Sequence, residues 1–241
     1  MIEIRGVSGG YGGFDVLNDV DITVPRGAIT CIVGANGAGK STVLKTVSGL
    51  LRPRVGSVMV DGRELAGLSP SAVLRAGVVQ VPQRHGLFGR LSVRQNVLMG
   101  GYLLRRDRKR LNVRLDAISE MFPIIADRGA EPAASLSGGQ RRLVEFARAM
   151  MLDPVVVLLD EPTLGLDPRS LDLVRQHTVR MNEAGVTILM VEQNVRFGLG
   201  LASHGIVMSS GSVALTGTAK HVRTHPDLMH HFFGLAPEGA A

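Results

Sequence analysis

The sequence has little cysteine, few aromatic residues and no long hydrophobic run. Its single cysteine, Cys31, excludes an internal disulfide framework. The apolar runs extend over a handful of residues, whereas a membrane-spanning helix needs roughly 18 to 20. Residues 1–10 lack the basic start and the apolar stretch of a secretory leader. We therefore expect a soluble chain that works in a reducing compartment.

Tryptophan is absent, and the charge is unevenly distributed. The 27 basic and 21 acidic residues give a net charge of +6. Much of this excess lies in the basic segment, residues 105–114, where six basic side chains accompany one acid, Asp107. A nucleic-acid groove spreads its charge and interleaves aromatic side chains for base stacking, so we expect no nucleic-acid partner. The basic segment is typical of a solvated helix or loop face, and contact with an anionic membrane surface is the alternative.

Strand and helix patterns alternate along most of the chain. Residues 2–24 contain two stretches of apolar–polar alternation, typical of antiparallel strands at a sheet edge. Short apolar runs, typical of strands buried on both faces, occur at residues 28–33, 78–81, 155–159 and 186–191. From residue 83 to residue 152 the pattern is helical only. This order predicts an α/β fold with a parallel core and an inserted helical subdomain.

Glycine is abundant, with 30 among 241 residues, and one cluster predicts chemistry. Residues 34–42 read GANGAGKST, after a buried strand and at the start of a predicted helix, which is the pattern and context of a phosphate-binding loop. Backbone N–H groups of such a loop turn toward phosphates at the positive end of the helix. Lys40 is predicted to neutralise β- and γ-phosphate oxygens, and Ser41 to offer a hydroxyl to Mg²⁺. The predicted phosphate-binding residues are Asn36, Gly37, Ala38, Gly39, Lys40, Ser41 and Thr42.

Two adjacent acids follow the apolar run at residues 155–159. Asp160 is predicted to hold the magnesium shell, and Glu161 to align or deprotonate an attacking water. A strand that merely ends in acids is the alternative interpretation. Taken together with Lys40, the pair indicates a nucleoside triphosphatase.

A second phosphate-directed element begins another predicted helix. Residues 136–140 read LSGGQ, in which a small hydroxyl and two glycines allow close backbone approach to a phosphate. One phosphate loop needs only one triphosphate. The chain by itself therefore leaves the second element unexplained.

These motifs and their spacing, over about residues 2–235, resemble the ATP-binding cassette (ABC) ATPases. The resemblance implies a P-loop NTPase fold in one domain of residues 1–241. In that fold a RecA-like parallel core (residues 1–83 and 153–241) carries an antiparallel β subdomain, and residues 84–152 form the α-helical signature subdomain. It also implies ATP and Mg²⁺ as ligands and head-to-tail dimers, in which the signature residues act on the partner's ATP. Those residues are Ser137, Gly138, Gly139 and Gln140.

The resemblance assigns roles to further residues. Tyr11 is expected to stack on adenine, with Val16 against the ring, although an ordinary strand tyrosine is the alternative. Gln83 is expected to sense Mg²⁺ and the γ-phosphate; Gln80 is a rival, but it lies inside a strand pattern. Asp167 is expected to communicate across the dimer.

One position departs from the family pattern. Gln193 stands where these ATPases usually have a histidine that bonds the γ-phosphate. An amide donates a hydrogen bond but does not take a proton near neutral pH. We therefore expect hydrolysis in this pocket to be slowed rather than abolished, because Glu161 remains.

Three short segments indicate a subfamily within the ABC ATPases: VEQN at residues 191–194, YGG at residues 11–13 and NGAG at residues 36–39. They look like the shorter ATP-binding subunit of branched-chain amino acid importers, and Gln83 is compatible with the urea and amide importers. The resemblance implies a second ABC ATPase subunit, as a heterodimer or homodimer, two permeases, and an extracytoplasmic solute-binding protein. It places the chain at the cytoplasmic face of the cell membrane. A soluble cassette of translation or DNA maintenance, and a regulatory cassette without hydrolysis, are the rival hypotheses.

Three other features predict ordinary structure. Four histidines, His221, His225, His230 and His231, are expected on the surface rather than at a metal. Four methionines, Met99, Met121, Met150 and Met151, are expected as core filler. Residues 236–241 are expected to form a frayed tail.

Overall fold

The computed structural model describes residues 1–84 and 86–228 and contains two β-sheets with helices packed around them. The strands are β1 Ile2–Tyr11, β2 Phe14–Val24, β3 Ile29–Val33, β4 Val55–Val60, β5 Arg63–Glu64, β6 Val78–Val81, β7 Val156–Asp160, β8 Thr187–Glu192, β9 His204–Ser209 and β10 Ser212–Thr218. The α-helices are α1 Lys40–Val47, α2 Pro70–Arg75, α3 Val93–Gly100, α4 Arg108–Met121, α5 Ile124–Arg128, α6 Gly138–Met150, α7 Pro168–Glu183, α8 Val195–Leu201 and α9 Ala219–Thr224.

The larger sheet has the strand order β10-β9-β3-β8-β7-β6. Every pair among its strands is parallel except β9 with β10, which forms an antiparallel hairpin at one edge. The strands β3, β7 and β8 are buried along their whole length, because helices cover both faces of a parallel sheet. The smaller sheet, β2-β1-β4-β5, is antiparallel. The predicted α/β fold with a parallel core and an antiparallel β subdomain is confirmed.

Between β6 and β7 the described chain forms α3, α4, α5 and α6, which pack on one another. Many apolar side chains of this helical segment are buried, among them Leu115, Phe122 and Phe146. The Phe122 ring stacks on His177 of α7, with 4.8 Å between the ring centroids. This contact joins the helical segment to the parallel core.

The four methionines and the basic segment differ in how deeply their side chains are buried. Met99 was expected in the core but is 45% exposed, because it borders an open groove lined by β6, α3 and α6. Met150 and Met151 are buried as expected, and Met121 is half-buried against the core. The basic segment is largely exposed. Arg114 departs from that pattern, since it donates to the Met150 carbonyl at 2.8 Å and pairs with Asp153.

The described residues include neither a membrane-spanning helix nor a cluster of metal-ligating side chains. No helix in residues 1–84 and 86–228 is long and apolar enough to span a membrane. Within the same residues no three side chains of the metal-binding types cluster as ligands for a metal ion. His221 and His225 meet edge to face, whereas His230, His231 and residues 236–241 lie outside the described part of the chain.

Candidate functional site

The phosphate-binding loop connects β3 to α1. Gly37 and Gly39 have φ values of 82° and 95°, a left-handed conformation that glycine adopts without steric cost. Gly39 is the N-cap of α1, and no side chain caps the first turn of this helix. The N–H groups of that turn are therefore available to an anion at the positive end of the helix.

Lys40 is folded back over this loop. Its Nζ donates to the carbonyl oxygens of Gly34 and Ala35 at 2.8 and 2.9 Å, and the residue is 5% exposed. Burial lowers the pKa of Lys40, while the carboxylates of Glu161 and Asp160 act in the opposite direction. The result is a buried cation at the centre of the loop.

Asp160 reaches the start of α1 from the end of β7. Its Oδ1 accepts a hydrogen bond from Ser41 Oγ at 2.8 Å. Burial raises the pKa of Asp160, and the Ser41 hydrogen bond opposes this shift. Ser41 and Asp160 bring a hydroxyl and a carboxylate oxygen together, and both are the hard donors that Mg²⁺ prefers. Gln83 offers an amide oxygen, but its observed side-chain contact is with Glu161. Ser41 and Asp160 therefore fit the predicted magnesium site.

Glu161 is held by two amides from distant parts of the chain. Gln83 Nε2 donates to Glu161 Oε2 at 2.6 Å, and Gln193 Nε2 donates to Glu161 Oε1 at 2.8 Å. Glu161 has a φ of 45°, a strained value for a residue with a side chain, and its N–H donates to the Val191 carbonyl at 3.0 Å. Sequence reasoning placed both glutamines near a phosphate and missed their shared partner.

Glu192 is a further buried carboxylate at this site, and the sequence analysis assigned it no role. It accepts hydrogen bonds from Thr163 N at 3.1 Å, from Thr163 Oγ1 at 2.9 Å and from Asn194 N at 3.4 Å. Burial raises its pKa, and the Thr163 hydrogen bonds oppose the shift. The signal in the sequence is an acid that ends an otherwise apolar strand. Glu192 ties the segment after β7 to the segment after β8.

A small cavity opens above the loop. Its lining residues come from β2, the loop, α1 and the end of β7: Val16, Asn36, Gly37, Gly39, Lys40, Ser41, Thr42 and Glu161. Ala38 is absent from this lining because its side chain is buried in the apolar core. Tyr11 lies at the end of β1, 47% exposed, and the ammonium of Lys45 is 5.4 Å from its ring centroid. An exposed aromatic face is what the predicted adenine contact requires.

The signature residues form the start of α6. Ser137 Oγ accepts from Gln140 N, and Gln140 Oε1 accepts from Ser137 N, which is a complete capping box. Arg128 Nη1 also donates to Gln140 Oε1 at 2.8 Å. None of the residues Ser137, Gly138, Gly139 and Gln140 lines the cavity above the phosphate loop.

Asp167 lies beside the signature. It is the N-cap of α7 and accepts from Ser170 Oγ at 2.6 Å, and this hydrogen bond is the main cause of its lowered pKa. A Cβ atom at Gly139 would lie 2.4 Å from Ser170 Oγ, so only glycine permits this approach of α6 to α7. The structure thus brings Asp167 and the signature to the same region.

The loop after β3 holds a buried lysine, and the end of β7 brings one carboxylate to the Ser41 hydroxyl and a second buried carboxylate beside it. This arrangement is that of a P-loop nucleoside triphosphatase. The chain belongs to the ABC transporter family, whose model matches residues 17–164. It is the ATP-binding subunit of such a transporter, an ATPase whose hydrolysis is coupled to transport.

Relatives match the chain over nearly its whole length. It is 35% identical to the high-affinity branched-chain amino acid transport ATP-binding protein BraG of Pseudomonas aeruginosa, over 97% of this chain and 100% of that protein. It is 33% identical to the probable branched-chain amino acid transport ATP-binding protein LivF of Archaeoglobus fulgidus, over 93% and 95%. The fold matches the ADP conformation of the ATP-binding cassette MJ1267 with a TM-score of 0.88 and 25% identity, over 98% and 99% of the two chains.

Proposed function

We propose that this chain energises the import of branched-chain amino acids from the cytoplasmic face of a membrane. The observation that carries the proposal is the similarity to BraG and LivF, which extends over almost the whole of each protein. Within that role the chain pairs with a second ABC ATPase subunit and with two permeases, and the permeases receive solute from an extracytoplasmic binding protein.

The site supports a specific division of work in ATP hydrolysis. The N–H groups of the loop and the Lys40 ammonium hold the phosphates. The Glu161 carboxylate accepts the proton of the water whose oxygen attacks the γ-phosphorus, while the bond from that phosphorus to the β–γ bridging oxygen breaks. Ser41, Asp160 and Gln83 would hold Mg²⁺, which would supply charge neutralisation at the phosphates. Tyr11 and Val16 position the adenine.

A complete site requires two cassettes. The signature residues lie away from the cavity above their own phosphate loop, and the exposed Ser137 at the start of α6 is able to approach a phosphate from outside. A head-to-tail dimer supplies that phosphate. Asp167 lies beside the signature and therefore at the contact between the two cassettes. Gln193 favours a heterodimer in which the partner carries the usual histidine.

An apolar groove on the surface is suited to binding a permease. It lies between β6, α3 and α6, and its apolar lining includes Leu74, Val79, Val81, Met99, Tyr102, Leu103 and Leu152. Tyr102 is 63% exposed and Met99 is 45% exposed, and exposed apolar side chains that share one groove are typical of a protein-binding surface. We assign this groove to a short helix of the permease.

Gln83 is also compatible with urea or amide import, which is the second candidate function.

The test is a purification of the tagged chain from its native membranes in mild detergent, with partners identified by mass spectrometry. Two multispanning permeases and a second ATPase are expected. The co-purified system's binding protein is then titrated with leucine, isoleucine and valine, and in parallel with urea and short amides. Binding of urea alone supports the second candidate. Ribosomes, DNA-repair proteins or the absence of membrane partners would overturn the importer.

A further inference from the structure

The loop after β6 is bonded to α6 by three charged side chains. Arg142 donates from Nη1 to the Pro82 carbonyl and from Nη2 to the Gln83 carbonyl, each at 3.0 Å. Glu145 Oε1 accepts from Gly86 N at 2.7 Å. Arg148 Nη1 donates to the Gly86 carbonyl at 2.7 Å. The backbone that carries Gln83 is therefore attached to the helix that begins at the signature.

Arg142 and Glu145 are fully buried and paired with each other. Their side chains are 1% and 0% exposed, and Arg142 Nη1 lies 2.8 Å from Glu145 Oε2. Burying two charges costs desolvation that their attraction seldom exceeds, and apolar residues of similar volume often stabilise a fold as well or better. The guanidinium offers directional donors in a rigid plane. Its two bonds to consecutive carbonyls set the position of the loop backbone as well as its distance from α6.

The same loop determines where the base is held. The Gln83 side chain donates to Glu161 Oε2 at 2.6 Å, while the Gln83 carbonyl accepts from Arg142. A continuous series of contacts thus leads from α6 through Arg142 to Gln83 and on to Glu161. Ser137 is the N-cap of α6. This series of contacts therefore links the signature, which is proposed to act on the partner's nucleotide, to Glu161 beside this chain's own nucleotide.

We propose that Arg142 and Glu145 are positioning residues that make α6 and the Gln83 loop move as one body. When α6 takes the position that completes a partner's site, the pair brings Gln83 to the place that hydrolysis at Glu161 requires. The inference rests on the proposed role of Gln83 at the nucleotide. It does not depend on which solute or permease the chain serves.

The test replaces the pair with apolar residues of similar volume, Arg142→Met with Glu145→Leu, in the full chain. The matched control is Arg114→Gln. Arg114 also bonds a carbonyl, that of Met150, and a carboxylate, that of Asp153, but away from the Gln83 loop. Steady-state ATPase activity, equilibrium ATP binding, thermal unfolding and amide exchange of peptides from the loop are measured on each protein.

In the paired variant we expect cooperative unfolding near the temperature of the unmodified chain, because the loss of bonds to the Pro82 and Gln83 carbonyls and to Gly86 N offsets the gain from removing two buried charges. ATP affinity should stay within about twofold. We expect kcat to fall by on the order of tenfold to a hundredfold, since small displacements of a positioned group have effects of that size. Amide exchange should accelerate in the loop and stay unchanged in the phosphate loop. Arg114→Gln should retain its kcat.

Normal kcat in the stable paired variant would overturn the proposal, and so would an equal loss in Arg114→Gln. Exchange that rises throughout the helical segment would also contradict it, because that result indicates general loosening. If the paired variant does not fold, Glu145→Gln preserves the side-chain shape and an oxygen that can accept from Gly86 N, while it removes the negative charge that acts on Arg142 and Arg148. A fall in its kcat with unchanged ATP affinity then supports the proposal, and unchanged kcat refutes it. Failure of the importer assignment would appear in the membrane purification and would leave these ATPase results intact.

Discussion

Two helices of this molecule begin with glycine-rich segments for which we propose phosphate contacts, yet their first turns differ. α1 starts at Gly39 with no side-chain cap, surrounded by the buried Lys40 and the carboxylates of Asp160 and Glu161. α6 starts at the exposed Ser137, whose capping box with Gln140 already satisfies two backbone donors. The start of α1 thus belongs to a site assembled within the chain. The start of α6 is an exposed surface that lies apart from the phosphate-loop cavity.

The two helix starts differ in burial: the charged groups around the start of α1 are buried within one chain, whereas the start of α6 is open to a partner. Around α1, burial shifts the pKa of Lys40 down and those of Asp160 and Glu192 up, so bound phosphate would meet charges that water screens poorly. The start of α6 is solvated, and in the proposed dimer a second nucleotide-holding chain supplies the phosphate and the charges around it. Variants that act differently on the two helices test this distinction.

The largest expected effect is at Glu161, the proposed base. Glu161→Gln should lower kcat by about 10²- to 10⁴-fold, because an amide does not accept the proton of the attacking water. ATP affinity should persist, since Lys40 and the loop are unchanged, and the ATP-bound protein should accumulate as a dimer. Phosphate release and size-exclusion chromatography with ATP check both results. The exposed Glu183→Gln is the control, and a Glu161 variant with normal turnover would remove Glu161 from its role.

The next effect separates the two helix starts directly. Lys40→Ala should weaken ATP binding to the dilute, monomeric chain by about 2 to 5 kcal/mol, the usual cost of losing one member of a buried charged contact. Ser137→Ala should leave that affinity unchanged and reduce ATP-driven dimerisation. Calorimetric titration and light scattering make the two measurements. Equal losses of monomer affinity in both variants would show that the signature acts on its own nucleotide.

A smaller effect concerns the contact that holds the signature-bearing helical segment on the core. Burial, with a contribution from Arg180, lowers the pKa of His177 to about 4, below the value of about 6.5 for an unfolded chain. Its contribution to stability is therefore complete above pH 6.5 and is lost progressively as the pH falls from 6.5 to 4. The expected loss is about 2 kcal/mol, after a reduction for solvent screening. Urea unfolding at several pH values measures it.

His177→Phe should remove most of this pH dependence, because a phenyl ring retains the stacking on Phe122 without a titrating nitrogen. The control is His221→Phe, at an exposed histidine. A His177→Phe protein that loses stability in acid as steeply as the unmodified chain would show that other groups are responsible.

The smallest effect is at Gln193. Gln193→His in the assembled complex should raise turnover by several-fold, about 1 kcal/mol in activation free energy, because an imidazole takes a proton near neutral pH and an amide does not. Steady-state phosphate release measures the change. Unchanged turnover would show that the residue at this position is indifferent for hydrolysis.

Much of the fold and of the phosphate loop was predictable because both depend on local patterns. Apolar runs such as residues 28–33 and 186–191 correspond to buried strands β3 and β8. The GKS sequence predicts the loop because its backbone conformation is dictated by the glycines themselves. The prediction for Met99 was wrong, since apolar character does not say which face of a helix its neighbours will cover.

By itself, then, the sequence determined the alternation of strands and helices, the phosphate loop, and the two acids at the end of β7. Only the tertiary structure decided which groups meet. Gln83 and Gln193 are 78 and 32 residues away from Glu161 in the chain, and Arg142 reaches carbonyls 60 and 59 residues away. Hydrogen bonds of this kind depend on distance and direction between side chains on separate elements, and those are settled when the helices pack on the sheet.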